Sequence, residues 1–406
     1  MNRHKVVLIS SGQPSLNPRM LKEADALADQ GYEVTVLYSF WNDWGTAYDE
    51  TILPAKKWKA VCVGGDPTRN PMIYFLSKVI YKIVQVVNRY TEGKIYKELA
   101  IARPAYFLAR AAKNYRADLY IGHNLGALPA TVRAAKFNKK PCGFDAEDFH
   151  RNELSDNPLD HDVILKTGLE EHYFPQIDYL SVSSPLIASA YQRIFPGIKP
   201  NVFLNVFSVN PGITLSSTNP QPLKLFWFSQ TIGMGRGLED VLDACKTLID
   251  YPLELHLLGQ INAEMKEHLT ERFTGVYFYE PISPDDIITF ASQFDIGMAV
   301  EKSTPFNRDI CLTNKIFTYL QAGLTVIASN TAAQTALMNQ YPAIGKLYQQ
   351  SDVESLAAVL LYYQQNRDIL FETQKAAQRI AHQHLNWENE SKKFLKLVEQ
   401  TLNDNS

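Results

Sequence analysis

Short apolar runs alternate with stretches in which apolar residues recur every three or four positions along most of this chain. Residues 6–9 form one such run and predict a buried strand. Residues 19–30 carry apolar side chains at helical spacing, Gly31 follows them, and residues 33–38 predict the next strand. Strands and helices that alternate in this order are typical of a parallel sheet covered by helices on both faces.

The alternation continues beyond the first unit, with one interruption. Further strands are predicted at residues 119–122, 141–145, 179–183, 223–228, 253–258, 276–279, 296–300 and 325–328. Residues 209–222 contain three prolines and several small polar residues, and they predict a linker. Because 406 residues exceed what one hydrophobic core holds, we expect two tandem Rossmann-like, doubly wound α/β domains that face a central cleft.

Composition narrows the class of protein. A hydrophobic fraction of 46% leaves ample apolar material for two cores, and a net charge of −3 argues against nucleic-acid binding. The four cysteines show no metal-ligand spacing, so a reduced, cytoplasmic setting is expected. A strand predicted this close to the first residue leaves no room for a signal peptide, and no apolar run predicts a transmembrane helix.

Residues 73–90 carry one broad stripe of apolar side chains, and the basic residues Lys78, Lys82 and Arg89 lie among them in the sequence. The stripe predicts a helix that is buried against the first sheet. The alternative is a surface helix that contacts a lipid-linked acceptor or an anionic membrane, which would make the protein peripheral at the inner membrane face.

The segment 311–328 predicts a loop, a short helix and a buried strand. The hydroxyl of Thr313 can cap the helix, and Gly323 can end it in the left-handed conformation. Asn314 and Lys315 then lie at the helix N-terminus, where free N–H groups and the helix dipole favour an anionic ligand.

A second candidate site for an anion follows the predicted strand 223–228. Gly233, Gly235, Arg236 and Gly237 resemble a dinucleotide-binding loop, but the spacing of the glycines differs and the next strand lacks a terminal acidic residue. We therefore do not expect an NAD(P) dehydrogenase. The loop is either a phosphate-binding turn, to which Arg236 adds a fork of donors, or a tight turn with a solvated arginine.

The chain resembles the family 4 retaining glycosyltransferases of the GT-B fold along nearly its whole length. The segments that carry the resemblance are 17–24 with 31–37, 117–130, 144–148, 314–323 and 386–395. The resemblance implies a transferase that moves a sugar from a nucleotide-sugar to a glycan or lipid-linked acceptor in cell-surface polysaccharide assembly. It implies an acceptor domain at 1–210, a linker at 211–222, a donor domain at 223–385, and a helix at 386–406 that crosses back to the first domain.

The resemblance also implies roles for individual residues. His123 would contact the donor sugar or the acceptor, and Arg236 and Lys315 would stabilise the diphosphate leaving group without a metal ion or other cofactor. Further donor-binding residues are predicted to be Gly233, Gly235, Gln230, Glu301, Asn314 and Thr318. The predicted acceptor-side residues are Gly12, Arg19, Asp145 and Glu147, although Arg19 could instead pair with Glu23 and the two acids could cap a helix.

Other features leave alternatives open. Asp160 and Asp162 form an Asp-x-Asp motif, which we expect to be a solvated loop or a helix cap rather than a metal site. Thr318 and Ile310 stand where the family has glutamates, and Gln230 stands where it has an arginine. Thr318 and Gln230 keep open a catalytically inactive scaffold as an alternative function. A nucleotide-sugar 2-epimerase, which has the same two-domain fold, is the other alternative.

Overall fold

The computed structural model describes residues 3–93, 95–215 and 222–405. The chain divides into two units, each built around its own parallel sheet. The first unit holds the chain up to Phe203 and again from Ser391, and the second holds Leu204–Glu390. The predicted α/β fold with two doubly wound sheets is confirmed. The predicted linker lies partly outside the described residues.

The sheet of the first unit has seven strands in the order β3-β2-β1-β4-β5-β6-β7. The strands are β1 (Lys5–Ser10), β2 (Glu33–Tyr38), β3 (Lys59–Cys62), β4 (Leu119–His123), β5 (Cys142–Ala146), β6 (Tyr179–Val182) and β7 (Asn201–Val202). The helices that belong to this unit are α1 (Pro18–Asp29), α2 (Asp43–Ile52), α3 (Pro71–Tyr90), α4 (Lys97–Ala100), α5 (Ala105–Asn114), α6 (Leu128–Asn138), α7 (His161–Tyr173) and α8 (Pro185–Ile194).

The sheet of the second unit has six strands in the order β10-β9-β8-β11-β12-β13. The strands are β8 (Leu223–Thr231), β9 (Leu253–Gln260), β10 (Val276–Tyr279), β11 (Ile296–Ala299), β12 (Thr325–Ser329) and β13 (Gly345–Tyr348). The helices that follow β8 in the chain are α9 (Leu238–Thr247), α10 (Ala263–Arg272), α11 (Ile287–Ala291), α12 (Phe306–Ile310), α13 (Asn314–Gln321), α14 (Ala332–Gln340), α15 (Val353–Gln365), α16 (Arg367–Gln383) and α17 (Trp387–Asp404).

The start of the first unit illustrates why these residues fold as they do. Helix α1 begins where the side chain of Asn17 accepts a hydrogen bond from the Met20 N–H and where Pro18 supplies the fixed φ of a first turn. It ends before Gly31, whose φ of +89° terminates the helix. Met20, Ala24 and Leu27 then pack against the sheet.

The last helix joins the core of the first unit. Phe394, Val398 and Leu402 of α17 are buried with Val6 and Leu8 of β1. Helix α17 is therefore part of the core of this unit. Removing these three side chains would expose the apolar residues that they cover.

The predicted burial of the 73–90 helix is wrong. In α3 only Ser77 and Asn88 are buried, and most of the large apolar side chains are exposed. Apolar periodicity identifies which face of a helix is apolar, but it does not tell what covers that face.

Candidate functional site

Three segments of the second unit meet at the carboxyl edge of its sheet. β8 and β11 are parallel neighbours, so the loop after β8 and the residues after β11 start at the same edge. Helix α13 follows β11 in the chain and precedes β12, which is the next strand of the sheet. This order brings Arg236, Glu301 and Lys315 from distant parts of the sequence to one edge.

Lys315 and Glu301 form the most buried ion pair of this edge. Lys315 Nζ lies 2.6 Å from Glu301 Oε1, and each side chain is 8% exposed. The ammonium also lies 5.5 Å from the ring centroid of Trp227 on β8, within cation–π range. The backbone of Glu301 is held by Ser329, whose hydroxyl accepts from the Glu301 N–H at 2.9 Å. The pair is therefore fixed before any ligand binds.

Helix α13 ends as predicted but begins differently. Gly323 adopts a φ of +74°, and the N–H of Leu324 bonds the carbonyl of Tyr319 at 2.9 Å, which closes the last turn. Thr313 occupies the N-cap position, but its hydroxyl makes no capping bond and has no hydrogen-bond partner among the described residues. The predicted Thr313 cap is therefore wrong, and the first N–H groups of α13 are left without it.

Thr318 and Asn314 differ in exposure although both were predicted to bind the donor. The Thr318 hydroxyl donates to the Asn314 carbonyl at 3.0 Å, and the side chain is buried. Asn314 itself is exposed at the first turn. Thr318 thus bonds its own helix, a common use of threonine inside helices, whereas Asn314 is accessible to a ligand.

The glycine loop between β8 and α9 has the conformation that its glycines allow. Gly235 and Gly237 have φ values of +86° and +83°, in the left-handed region that favours glycine. A Cβ on Gly237 would lie 3.1 Å from Val300 Cβ, so the turn also packs closely on the strand end. Gly233 lies on the same loop with open space around it. Gln230 lies near the end of β8, and its side chain is exposed.

Charged side chains surround this loop. Arg236 is exposed, and its guanidinium donates to the Ser229 hydroxyl at 3.2 Å. The N–H of Gly235 donates to the carboxylate of Glu239, so an acidic group already occupies one of the donors predicted for phosphate. Arg308 of α12 donates to the Gly235 carbonyl at 3.2 Å.

Arg308 is the residue that sequence reasoning missed. It lies between β11 and α13, in a segment that the topology returns to the carboxyl edge of the sheet. The presence of a basic residue in that segment was the sequence feature that could have indicated Arg308 as a candidate. With Arg308, three cations of the second unit lie on the elements that border the glycine loop and the start of α13.

In the first unit, the strand register assembles a buried charged cluster. Ser10 at the end of β1 lies opposite His123 at the end of β4, and His123 lies opposite Asp145 on β5. Helix α1 adds Arg19 and Glu23 from above this edge. Arg19 Nε lies 2.8 Å from Asp145 Oδ2 and 3.6 Å from Glu23 Oε1. The four charged side chains of this cluster are 1–2% exposed.

The charges of the cluster fix its protonation. Burial disfavours the imidazolium of His123, but Glu23 at 3.3 Å and Asp145 at 3.5 Å outweigh it and raise the pKa of His123 to about 9. Burial raises the pKa of Asp145, but Arg19 and His123 lower it below its usual value. His123 is therefore a cation between two carboxylates at neutral pH.

These positions change the interpretation of three predicted residues. His123, Arg19 and Asp145 lie inside the first unit, where they hold one another, and Arg19 also donates to the Phe203 carbonyl. The alternative prediction that Arg19 pairs with Glu23 is confirmed. Their charges are already paired with one another. Direct contact of these residues with a substrate stays a prediction.

Two predicted acceptor-side residues are more accessible. Gly12 is partly exposed, and its N–H donates to the Ser10 hydroxyl at 3.1 Å. Glu147 is partly exposed as well, and burial together with Asp148 and Asp145 raises its pKa to about 7. The Glu147 carboxyl group thus titrates near neutral pH.

A cavity of about 400 Å³ lies beside the ends of β2 and β3. Its lining includes Gln13, Asp49, Asp66, Arg69 and the ring of Tyr38. The Asp49 carboxylate accepts from the Ser15 N–H at 2.8 Å. Polar groups and an aromatic wall are suited to a sugar.

The Asp-x-Asp motif is structural. Asp160 occupies the N-cap position of α7 and accepts a bond from Asn157 at 3.0 Å. Asp162 pairs with Lys166 at 3.1 Å. Among the residues that the structure describes, no three His, Cys, Asp or Glu side chains are grouped so that they could hold a metal ion.

The fold is similar to that of several solved glycosyltransferases, all of low sequence identity. A glycosyltransferase from Rickettsia africae ESF-5 superposes with a TM-score of 0.68 at 12% identity, over 99% of both chains. HepE from Anabaena, solved in complex with UDP, gives a TM-score of 0.67 at 15% identity over 98% of this chain and 100% of HepE. Sucrose-phosphate synthase from Thermosynechococcus elongatus gives 0.68 at 14% identity over 98% of this chain and 99% of the synthase.

Sequence comparison alone finds no such relation. No protein-family model matches the chain, and no curated protein matches its sequence. The structural similarity extends over nearly the full length in each case. This chain therefore has the two-sheet α/β fold of the GT-B glycosyltransferases.

Proposed function

We propose that this protein is a retaining glycosyltransferase that moves a sugar from a nucleotide-sugar to a glycan or lipid-linked acceptor in cell-surface polysaccharide assembly. The observation that carries the proposal is the set of cations at the carboxyl edge of the second sheet. Arg236, Arg308 and Lys315 lie on the glycine loop and on the helices α12 and α13. The fold that this chain shares with HepE, which was solved with UDP, supports the same assignment.

The proposed chemistry depends on stabilising a leaving group. When the bond between sugar and diphosphate breaks, negative charge develops on the diphosphate and positive charge on the sugar. Fixed cations and helix N-termini that face the diphosphate stabilise this charge more than they stabilise the ground state. We propose that Arg236, Arg308 and Lys315 supply this stabilisation and that no metal ion is required.

Lys315 and Glu301 would then have complementary roles. An ammonium has three donors, and Glu301 takes one of them at 2.6 Å, which leaves two for phosphate oxygens. The Glu301 carboxylate accepts hydrogen bonds and is suited to the hydroxyls of the donor sugar. The ion pair would thus position both groups for one donor molecule. Asn314 and the N–H groups at the start of α13 would add neutral donors.

For the acceptor, we propose the cavity of the first unit that Gln13, Asp49, Asp66 and Arg69 line. Its carboxylates and amide match sugar hydroxyls, and Tyr38 offers a ring on which a sugar can pack. Gly12 borders the same end of the sheet, because its carbonyl accepts from the Ser39 N–H, which follows β2.

The test is a reaction screen with a defined readout. The protein is incubated with UDP-, GDP-, ADP- and CMP-linked sugars, with and without glycolipid extracts as acceptor, and both the released nucleotide and the sugar products are analysed. The proposal expects nucleoside diphosphate release that increases with acceptor, and a product with the donor's anomeric configuration. A 2-epimer of the nucleotide-sugar without transfer would instead identify an epimerase, and a protein that neither binds nor converts any donor would be a scaffold.

A further inference from the structure

Helix α3 has two faces of different character. Its inward face carries Ser77 and Asn88, both fully buried. The guanidinium of Arg103 donates to the Ser77 hydroxyl, and His161 Nε2 lies 2.8 Å from Asn88 Oδ1. These polar contacts attach the inward face of the helix to the first unit.

The outward face of α3 is an exposed apolar stripe. At 100° per residue its members lie within about 100° of one another around the helix axis, and they are Met72, Phe75, Leu76, Ile83, Val86 and Tyr90. Met72 and Tyr90, at the two ends, are 85% and 87% exposed. At about 1.5 Å per residue the stripe is roughly 27 Å long. A continuous exposed apolar surface of this length is uncommon unless something covers it.

The charges on α3 are of one sign. Pro71–Tyr90 contains no Asp or Glu, but it contains Lys78, Lys82 and Arg89, all exposed. At 100° per residue these three cations lie within about 40° of one another, on one flank of the apolar stripe. An apolar face with a cationic border is the pattern of helices that lie in the interface of an anionic membrane.

Two exposed tryptophans lie close in sequence to a residue that contacts the start of the helix. The ring of Phe40 contacts Tyr74 of α3 with 5.4 Å between centroids, and Trp41 follows Phe40 in the chain. Trp41 and the nearby Trp44 are both exposed. Tryptophan favours the boundary between lipid and water, because its ring is apolar and its N–H remains able to bond.

We propose that the exposed face of α3 docks the first unit onto a bilayer that contains anionic lipid. The apolar stripe enters the headgroup boundary, and Lys78, Lys82 and Arg89 contact the lipid phosphates. The helix lies on the surface rather than across it. None of the helices in residues 3–93, 95–215 and 222–405 combines the length and the apolar character that crossing a bilayer requires.

Charge distinguishes this occupant from a second copy of the chain. Two α3 helices packed face to face would bring their cations together with no acid on either helix to compensate. An anionic bilayer neutralises the same cations at about 1 kcal/mol each. The inference does not depend on the proposed enzymatic activity, because lipid binding by the first unit is measured without a donor.

The test is partitioning of the full chain onto vesicles. Vesicles of phosphatidylcholine alone are compared with vesicles that also contain phosphatidylglycerol, and the bound fraction is measured by flotation. Two double variants probe the surface: Phe75→Ser with Ile83→Ser for the stripe, and Lys78→Gln with Lys82→Gln for the charge. Their controls are Leu154→Ser with Leu159→Ser, which are exposed leucines elsewhere in the unit, and Lys392→Gln with Lys396→Gln, which repeat the same spacing on α17.

We expect strong binding only to the anionic vesicles, and a decrease as salt is raised. Each α3 double variant should reduce the partition constant at least tenfold, whereas the two controls should stay within about twofold of the wild type. Absence of binding to anionic vesicles, or equal loss in a control variant, would overturn the proposal. A dimer in sedimentation that Phe75→Ser with Ile83→Ser abolishes, without vesicle binding, would also overturn it and identify a second copy as the partner.

Discussion

The Lys315 ammonium and the Glu301 carboxylate lie 2.6 Å apart, and 14 positions of the sequence separate the two residues. The contact joins the end of β11 to the start of α13, on either side of α12. Because both side chains are almost fully buried, each compensates the charge of the other. The pair is thus a structural element of the second unit as well as its proposed donor site.

The first prediction follows from this compensation. Glu301→Gln and Lys315→Met should each destabilise the second unit by roughly 2–4 kcal/mol, since each leaves one buried charge without its partner. The double variant should be less destabilised than the sum of the two. Calorimetric unfolding of the four proteins measures this difference. Additive effects would mean that the two charges do not interact.

Conformational strain at the glycine loop gives the second prediction. Gly237→Ala combines a positive φ with a Cβ only 3.1 Å from Val300, so it should destabilise the unit by about 1–3 kcal/mol and weaken nucleotide binding. Gly235→Ala has the positive φ but no close neighbour, so its effect should be about 1 kcal/mol.

Gly233→Ala is the matched control on the same loop. Its φ lies outside the positive region, and an added Cβ would meet nothing within 4 Å. Its stability should match that of the wild type. In thermal denaturation, the loss of stability should be largest for Gly237→Ala, smaller for Gly235→Ala and absent for Gly233→Ala. Equal effects of the three substitutions would contradict the loop geometry.

The third prediction concerns the stability of the first unit as a function of pH. The folded-state pKa of His123 is raised from 6.5 to about 9, so its proton stabilises the fold fully below pH 6.5. This contribution is lost as the pH rises from 6.5 through 9. Its full size is on the order of 3 kcal/mol.

His123→Gln isolates this contribution from the other titrating groups, which include Lys22 and Glu147. The stability difference between wild type and variant should shrink between pH 6.5 and 9 in urea denaturation. His268→Gln, at an exposed histidine, is the control substitution. A wild-type to His123→Gln difference that stays constant over this range would show that His123 does not carry the proton.

Sequence patterns predicted the strands that have continuous apolar runs and missed the more weakly patterned ones. The limits predicted for β2 and β10 are those of the structure, because each apolar run is bounded by polar residues or turns. β3, β7 and β13 were not predicted. They are edge strands of two to four residues, whereas the edge strand β10 consists of four consecutive apolar residues. Burial of α3 was predicted wrongly, because periodicity does not specify a partner for an apolar face.

The candidate site was predictable only in part for a related physical reason. The positions of His123 and Asp145 at strand ends followed from the alternation of strands and helices. Their pairing with Arg19 depends on how α1 lies over the sheet, which no local pattern encodes. Arg308 was missed because its position depends on the path of the chain between β11 and α13.

Binding of a nucleoside diphosphate to the cations of the second unit is the central claim, and calorimetric titration tests it most directly. UDP, GDP and ADP are titrated into the wild type, into Arg236→Gln with Arg308→Gln, and into Arg379→Gln as an exposed-arginine control. We predict that at least one of the three nucleotides binds to the wild type, and that it binds to the control variant with the same affinity. The double variant should bind at least tenfold more weakly, because two charge-assisted contacts are lost. No binding of any nucleotide at millimolar concentration, or equal binding by the double variant, would contradict the claim.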